Sequence, residues 1–68
     1  MITHKKEFGI YYWDTFDNDT SLVGEADTLQ EACDKVMDKY GKDIAADGAD
    51  SVDIVNKEGD IVMQYPIG

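Results

Sequence analysis

The chain has 68 residues and a mass of 7.6 kDa, which predicts one small domain spanning residues 1–68. Hydrophobic residues make up 43% of it, so a compact core is expected and a wholly disordered chain is disfavoured. Fifteen Asp and Glu against six Lys give a net charge of -9. That balance argues against direct nucleic-acid binding and against binding to anionic membranes, because both need clustered cations.

The cysteine content and the apolar runs restrict the cellular context. A single cysteine, Cys33, excludes an intramolecular disulfide framework. The apolar runs are too short for a transmembrane helix, and the N-terminus lacks the apolar core of a signal peptide. We therefore expect a soluble protein in the cytoplasm.

The first part of the chain predicts a β-hairpin after a polar segment, 1–6, that is expected to fray. Residues 8–16 are rich in aromatic side chains and are typical of a strand. Residues 14–21 contain several Asp and Asn, whose side chains bond their own backbone and favour a turn. Residues 22–26 predict a second, edge strand.

One helix follows, and its pattern is the clearest in the chain. Thr28 and Glu31 fit a capping box at its start. Apolar side chains then recur with the helical period on one stripe: Leu29, Ala32, Cys33, Val36, Met37, Tyr40 and Ile44. The stripe predicts a helix that continues to Ala46 and stops at Gly48.

Residues 51–56 and 60–65 predict a second hairpin around 57–59. Alternation places Val52 and Ile54 on one face of their strand, and Ile61, Met63 and Tyr65 on one face of the next. For both sets to lie on the same side of the sheet, Ile54 must pair with Met63 or Ile61. Pro66 is expected to end the last strand because proline has no N–H to donate to the sheet.

The element order predicts an α+β fold, a two-layer β-β-α-β-β sandwich in which one helix covers one face of a four-stranded antiparallel sheet. We favour the strand order 2-1-3-4, which places the first strand in the centre, over the alternative 1-2-4-3. The expected core consists of the helix stripe together with Phe8, Ile10, Tyr12, Leu22, Val52, Ile54, Ile61, Met63 and Tyr65.

Strand alternation also predicts an open sheet face opposite the helix. Five large side chains are assigned to it: Tyr11, Trp13, Val23, Val55 and Val62. Aromatic residues on an open face favour a partner surface or a homodimer. Two alternatives remain: scattered apolar residues are ordinary on such faces, and Trp13 could be covered by the N-terminal segment or by the 14–21 turn.

Acidic residues in loops and beyond the helix form the second candidate site: Asp14, Asp17, Asp19, Asp43, Asp47 and Asp50. Spaced carboxylates can imitate phosphates and steer a basic partner into contact. Because the helix C-terminus prefers cations, changing Asp43, Asp47 and Asp50 to Asn is expected to leave the fold intact. The alternative is that the acidity only keeps the protein soluble.

Signatures of catalysis are missing, so we expect neither an enzyme nor a cofactor. His4 is the one histidine and lies near the N-terminus, and Cys33 lies on the apolar stripe of the helix. The six glycines are scattered and form no phosphate-binding loop. The acidic residues 14–21 could hold Ca²⁺ weakly, but Leu22 and Thr28 break the EF-hand pattern, and no metal site is predicted.

In size, charge and element order the chain resembles the minimal α+β proteins encoded by phages and other mobile elements, which include inhibitors of host defence. The resemblance carries no diagnostic motif and assigns no residues. It implies an inhibitor or decoy that binds a basic nucleic-acid-handling protein, for example a nuclease or a CRISPR effector, in the host cytoplasm. The alternative function is a structural or interaction module that self-associates through the open sheet face.

Overall fold

The structure is a computed structural model that describes residues 3–68. The elements are β1 (Phe8–Asp14), β2 (Asp19–Ala26), α1 (Leu29–Tyr40), a 3₁₀ turn (Gly41–Asp43), β3 (Asp50–Val55) and β4 (Ile61–Ile67). The strands form one antiparallel sheet in the order β2-β1-β3-β4. Helix α1 packs against β1, β2 and β3 on one face of the sheet. The α+β class and the favoured strand order are therefore confirmed.

The start of α1 follows the capping chemistry, whereas its end differs from the prediction. Thr28 Oγ1 accepts the N–H of Glu31 at 3.1 Å, and Glu31 Oε1 accepts the N–H of Asp27 at 3.3 Å. The helix ends at Tyr40, so the prediction that it continues to Ala46 was wrong. The chain turns away earlier because Ile44 pairs with Ile67 as a β-bridge beside the sheet.

The core lies between α1 and the central strands. Its fully buried members are Ile10, Ala26, Ala32, Val36, Val52, Ile54 and Ile67. Leu29 and Met37, which the sequence placed in the stripe, are 40% and 53% exposed. One helix of 12 residues covers only part of a four-stranded sheet, so the margins of its apolar stripe stay in water.

A β-bulge in β2 exchanges the faces of two residues. Ile10 pairs with Gly24, but the next residue, Tyr11, pairs with Leu22, so Val23 is an extra residue in β2. Val23 consequently packs against the core, and Leu22 shares the face of Tyr11 and is 37% exposed. The assignments of Val23 to the open face and of Leu22 to the core were both wrong, because strict alternation fails at a bulge.

The second hairpin has the predicted register along most of its length. Ile54 pairs with Met63, and Val52 with Tyr65. A second irregularity makes Val62 an extra residue and places Ile61 opposite Val55. Ile61 and Met63 are 55% and 38% exposed, so their assignment to the core was wrong.

Proline does not end the last strand. Pro66 lies within β4, which is an edge strand and can therefore contain a residue without an N–H donor. The strand continues to Ile67, which is 6% exposed and belongs to the core. The backbone N–H of Gly68 donates to Asp43 O, and the N–H of Ala45 donates to Pro66 O. These bonds hold the 43–45 segment against the end of β4.

Candidate functional site

The fold brings all six aspartates of the acidic site to one end of the molecule. Because neighbouring strands are antiparallel, β1 ends at this end of the molecule and β2 and β3 begin there. Helix α1 also ends shortly before the segment that reaches this end. We call this set the acidic end: Asp14, Asp17, Asp19, Asp43, Asp47 and Asp50. Asp17, Asp19, Asp43 and Asp47 are exposed, and the other two are half-buried.

Carboxylates crowd at the tip of the first hairpin. Asp14 and Asp19 pair directly across β1 and β2, although like charges in opposing positions are destabilising. Asp14 Oδ1 accepts the N–H groups of Phe16 and Asp17 at 3.0 and 3.3 Å, which shapes the turn. The turn is completed by Asn18 with a φ of 52°, a left-handed conformation that Asn tolerates. The hairpin therefore holds acidic side chains in a defined turn despite their repulsion.

Asp50 differs from the other members because its carboxylate is used within the fold. Its Oδ2 accepts the hydroxyl of Tyr12 at 2.7 Å, and its Oδ1 accepts the N–H and the hydroxyl of Thr15 at 3.0 Å each. The bond from Tyr12 and those from Thr15 lower the pKa of Asp50. The same bond to Asp50, with partial burial, raises the pKa of Tyr12 to about 12. Asp50 thus ties β3 to the β1–β2 turn.

Most lysines lie at the opposite end, where α1 starts. Lys6 pairs with Asp27 at 3.7 Å and Lys35 with Glu31 at 3.4 Å, the two ion pairs found among residues 3–68. Lys35 Nζ also donates to Glu25 O, and Lys57 Nζ donates to Lys5 O, both at 2.6 Å. Lys42, in the 3₁₀ turn, and Lys39, one helical turn earlier, are the lysines closest to the acidic end in the chain. Both ends carry acids, since Glu7, Glu25, Asp27, Glu31, Glu58 and Asp60 lie where α1 starts. The lysines offset part of that charge, so the acidic end is the more negative of the two.

The N-terminal segment covers one half of the open sheet face. Tyr11 Oη bonds His4 Nδ1 at 2.8 Å and the N–H of Thr3 at 3.2 Å. Glu25 Oε1 accepts the N–H groups of Lys6 and Lys5, and these bonds lower the pKa of Glu25. The segment expected to fray is thus held against the sheet from residue 3 to residue 6, and residues 1 and 2 lie outside the described part.

His4 is unusually deep for a residue so near the start of the chain. It is 5% exposed and packs on Gly9, where a Cβ atom would lie 2.3 Å from His4 Nδ1. Its T-shaped contact with the ring of Tyr11 has a centroid distance of 5.7 Å. His4 belongs to the 1–6 segment that was expected to fray, and the small residue at position 9 is the one signal that could have revealed the contact.

The apolar residues assigned to the open face are not brought together as one patch. Tyr11 lies beneath the N-terminal segment, Trp13 is 40% exposed, and Val62 is 37% exposed on the edge strand. Val55 is half-buried opposite Gly9, and Val23 lies on the other face.

A groove of about 270 Å³ occupies the uncovered half of this face, next to the acidic end. Trp13 lines it from β1, Ser51 from β3, Gln64 and Pro66 from β4, and Asp50 with Ala49 at its end. The buried Ser51 Oγ has no hydrogen-bond partner among residues 3–68, and neither has Oδ1 of Asp53, which is 8% exposed. Both residues point to this face because they pair with Trp13 and Tyr11.

A second groove of about 350 Å³ separates α1 from β2 on the helix side. Its floor is formed by Ile10, Val23 and Val36, and Lys39 lies at its rim. It exists because α1 does not reach over the edge strand completely. Its lining lacks the aspartates of the acidic end.

The remaining reactive side chains have structural surroundings. Cys33 is half-buried on α1, and the neighbouring Cys33 thiol, together with partial burial, raises the pKa of Tyr65 to about 12. Within residues 3–68, His, Cys, Asp and Glu side chains form no group of three that could hold a metal ion. In the same range, no helix combines the length and apolar character that crossing a bilayer requires.

No protein-family model matches the chain, and no curated protein or solved structure is significantly similar to it.

Proposed function

We propose that this chain is a non-enzymatic acidic binding protein that engages a basic surface of a nucleic-acid-handling protein and acts as an inhibitor or decoy. The observation that supports this function is the collection of six aspartates at one end, while four of the six lysines lie at or reach toward the other. Its partner is a protein, and its place of action is the cytoplasm, the host cytoplasm for a phage-encoded chain.

The arrangement supports binding more than solubility alone. Solubility requires net charge but no particular placement, whereas a polarised molecule has a preferred orientation in the field of a cationic partner. The acidic end also carries a local cost, since Asp14 and Asp19 face each other across the hairpin. A costly local arrangement is more often retained for function than for stability.

The chemistry of the acidic end suits a protein that normally binds phosphates. Carboxylates on a turn of defined shape present anionic oxygens to the Lys and Arg side chains of a nucleic-acid groove. Occupying that groove would block the nucleic acid without any catalysis by this chain. Asp17, Asp43 and Asp47 are the best candidates for direct contact because they are exposed, whereas Asp50 is already held by Tyr12 and Thr15.

The test compares two triple variants that remove the same charge from opposite ends. One changes Asp17, Asp43 and Asp47 to Asn, and the control changes Glu7, Glu58 and Asp60 to Gln or Asn. Stopped-flow association with a panel of basic nucleases is measured over a range of salt concentrations. The first variant is expected to associate about tenfold more slowly at low salt, with a flatter salt dependence, and the control to change little. Equal effects of the two variants would show that only net charge matters and would refute an oriented binding site.

Self-association is the second candidate function, and the edge strand β4 favours it. Ile61, Val62 and Met63 are apolar and exposed at its start, and an exposed edge can pair with a second copy. This differs from the predicted surface, because Tyr11 is covered and Val23 faces the core. The salt titration separates the two candidates, since an apolar contact does not weaken as salt rises.

A further inference from the structure

We propose that the groove beside Trp13 binds an arginine side chain of the basic partner, with its guanidinium against the indole ring and within reach of Ser51. This inference rests on the proposed function and specifies it: the acidic end attracts the partner, and the groove selects arginine over lysine. The groove lies next to the acidic end, since Asp50 and the 48–49 segment close one end of it.

The size of the groove favours a single side chain. Sites for small-molecule ligands usually measure about 300 to 1,000 Å³. The groove, at about 270 Å³, falls just below that range and is open to water on one side. A partner's side chain carried on its own backbone can enter such a shallow space, whereas a free metabolite would be poorly enclosed.

The charge and the hydrogen-bonding groups of the groove favour a cation that has several hydrogen-bond donors. Oγ of Ser51 lines the groove and has no hydrogen-bond partner in the described residues, and leaving such an atom unpaired is costly. Asp53, whose Oδ1 is also unpartnered in that range, lies outside the lining but on the same face of β3, two residues further along. Asp50 adds negative charge, and no lysine lines the groove. A guanidinium carries five N–H donors in a planar fork and accepts no hydrogen bonds, which complements these oxygens.

Trp13 supplies the reason to expect arginine instead of lysine. Its side chain is 40% exposed and lines the groove, so an indole surface is available to a ligand. Tryptophan is the best ring for cation–π contact, and a planar guanidinium can stack on it while still donating in its own plane. An ammonium group is more strongly hydrated and cannot stack.

The experiment uses the full chain and two synthetic peptides, one alternating glycine with four arginines and the other glycine with four lysines. Affinities are measured by calorimetry, and amide shifts by ¹H–¹⁵N NMR. We expect the arginine peptide to bind at least about threefold more tightly, with the largest shifts at Ser51 and Gln64. Ser51→Ala and Trp13→Leu should each remove this preference. The control is Phe16→Ala, because the Phe16 side chain lies in the nearby turn and is 94% exposed. This variant should keep the preference for the arginine peptide.

The outcomes distinguish the groove from the acidic end. Changing Asp17, Asp43 and Asp47 to Asn should lower the affinity for both peptides by the same factor. The ratio of the two affinities should therefore stay unchanged. Equal affinity of the wild type for the two peptides would overturn the arginine site while leaving the acidic end intact. A preference that survives in both groove variants, with each variant's fold verified by NMR, would also overturn it. If neither peptide binds, the proposed function and this inference fail together.

Discussion

Gly9 shows how much depends on one absent side chain. Its Cα lies under the His4 ring, and a Cβ there would lie 2.3 to 2.8 Å from three atoms of His4. His4 and Thr3 in turn bond the hydroxyl of Tyr11. The position therefore decides whether the N-terminal segment can lie on the sheet at all.

Gly9→Ala is expected to displace the N-terminal segment. The added methyl group cannot coexist with His4 in its present place, and such overpacking typically costs about 1 to 3 kcal/mol. Denaturant unfolding should show this loss, and NMR should show altered amide shifts at Thr3 and Glu25. Gly41→Ala is the control, because its Cβ would meet only Met37 Cε, at 3.7 Å. Unchanged shifts at Thr3 in Gly9→Ala would contradict the packing described.

Residues whose roles were predicted correctly make their contacts with near neighbours in the sequence, whereas residues whose roles were missed make contacts with distant ones. Thr28 caps α1 through a contact three residues away, so its role is visible in the sequence. Asp50 acts through Tyr12 and Thr15, more than 30 residues distant, and no pattern near position 50 indicates it. The expectation that its charge can be removed without cost overlooked this long-range bond.

At the scale of elements, the predictions succeeded where alternation is regular and failed at the bulges. Ile10, Val52 and Ile54 are buried as expected from the period of two. One extra residue in β2 and one in β4 reverse the faces of the residues before them, Leu22 and Ile61. Gly24, next to the extra residue of β2, is the one residue in these two strands that is typical of a bulge. The apolar side chains that alternation assigned to the core and to the open face therefore do not form two continuous rows.

Helix α1 offers a test of which part of its stripe matters. Val36 is 1% exposed and Met37 is 53% exposed, although both belong to the predicted stripe. Val36→Ala should lower the free energy of unfolding by roughly 2 kcal/mol, since methyl groups are lost and a cavity remains. Met37→Ala should change it by less than about 0.5 kcal/mol, as at other exposed positions. Similar losses in chemical denaturation of the two variants would contradict the orientation of α1.

At the scale of the whole molecule, the dependence of stability on pH reflects the Tyr12–Asp50 bond. The pKa of Asp50 is lowered from its ordinary 3.8, so its contribution is present above that value and is lost as the pH falls through the folded pKa. The pKa of Tyr12 is raised from 10.0 to about 12, so its contribution is present below pH 10 and is lost between 10 and 12. The bond therefore stabilises the fold across the intervening range.

Asp50→Asn is expected to lower the melting temperature at pH 7, because the ionised acceptor of Tyr12 and Thr15 is lost. The difference from the wild type should shrink below pH 3.8, because protonation of Asp50 weakens its bonds in the wild type while the variant has no carboxyl group at this position to protonate. Melts followed by circular dichroism between pH 3 and 8 provide the measurement, with Asp47→Asn as the exposed control. A difference that stays constant with pH would show that the Asp50 charge contributes nothing.

The uneven placement of lysines also determines how the protein can be displayed. Four of the six lysines contact residues at the end of the molecule where α1 begins or lie there themselves: Lys5, Lys6, Lys35 and Lys57. Amine-reactive beads or sensor chips would therefore attach the molecule mainly by that end. Asp17, Asp43 and Asp47 would then face the solution on most of the attached molecules. Simple amine coupling would thus give an oriented capture surface without an engineered tag.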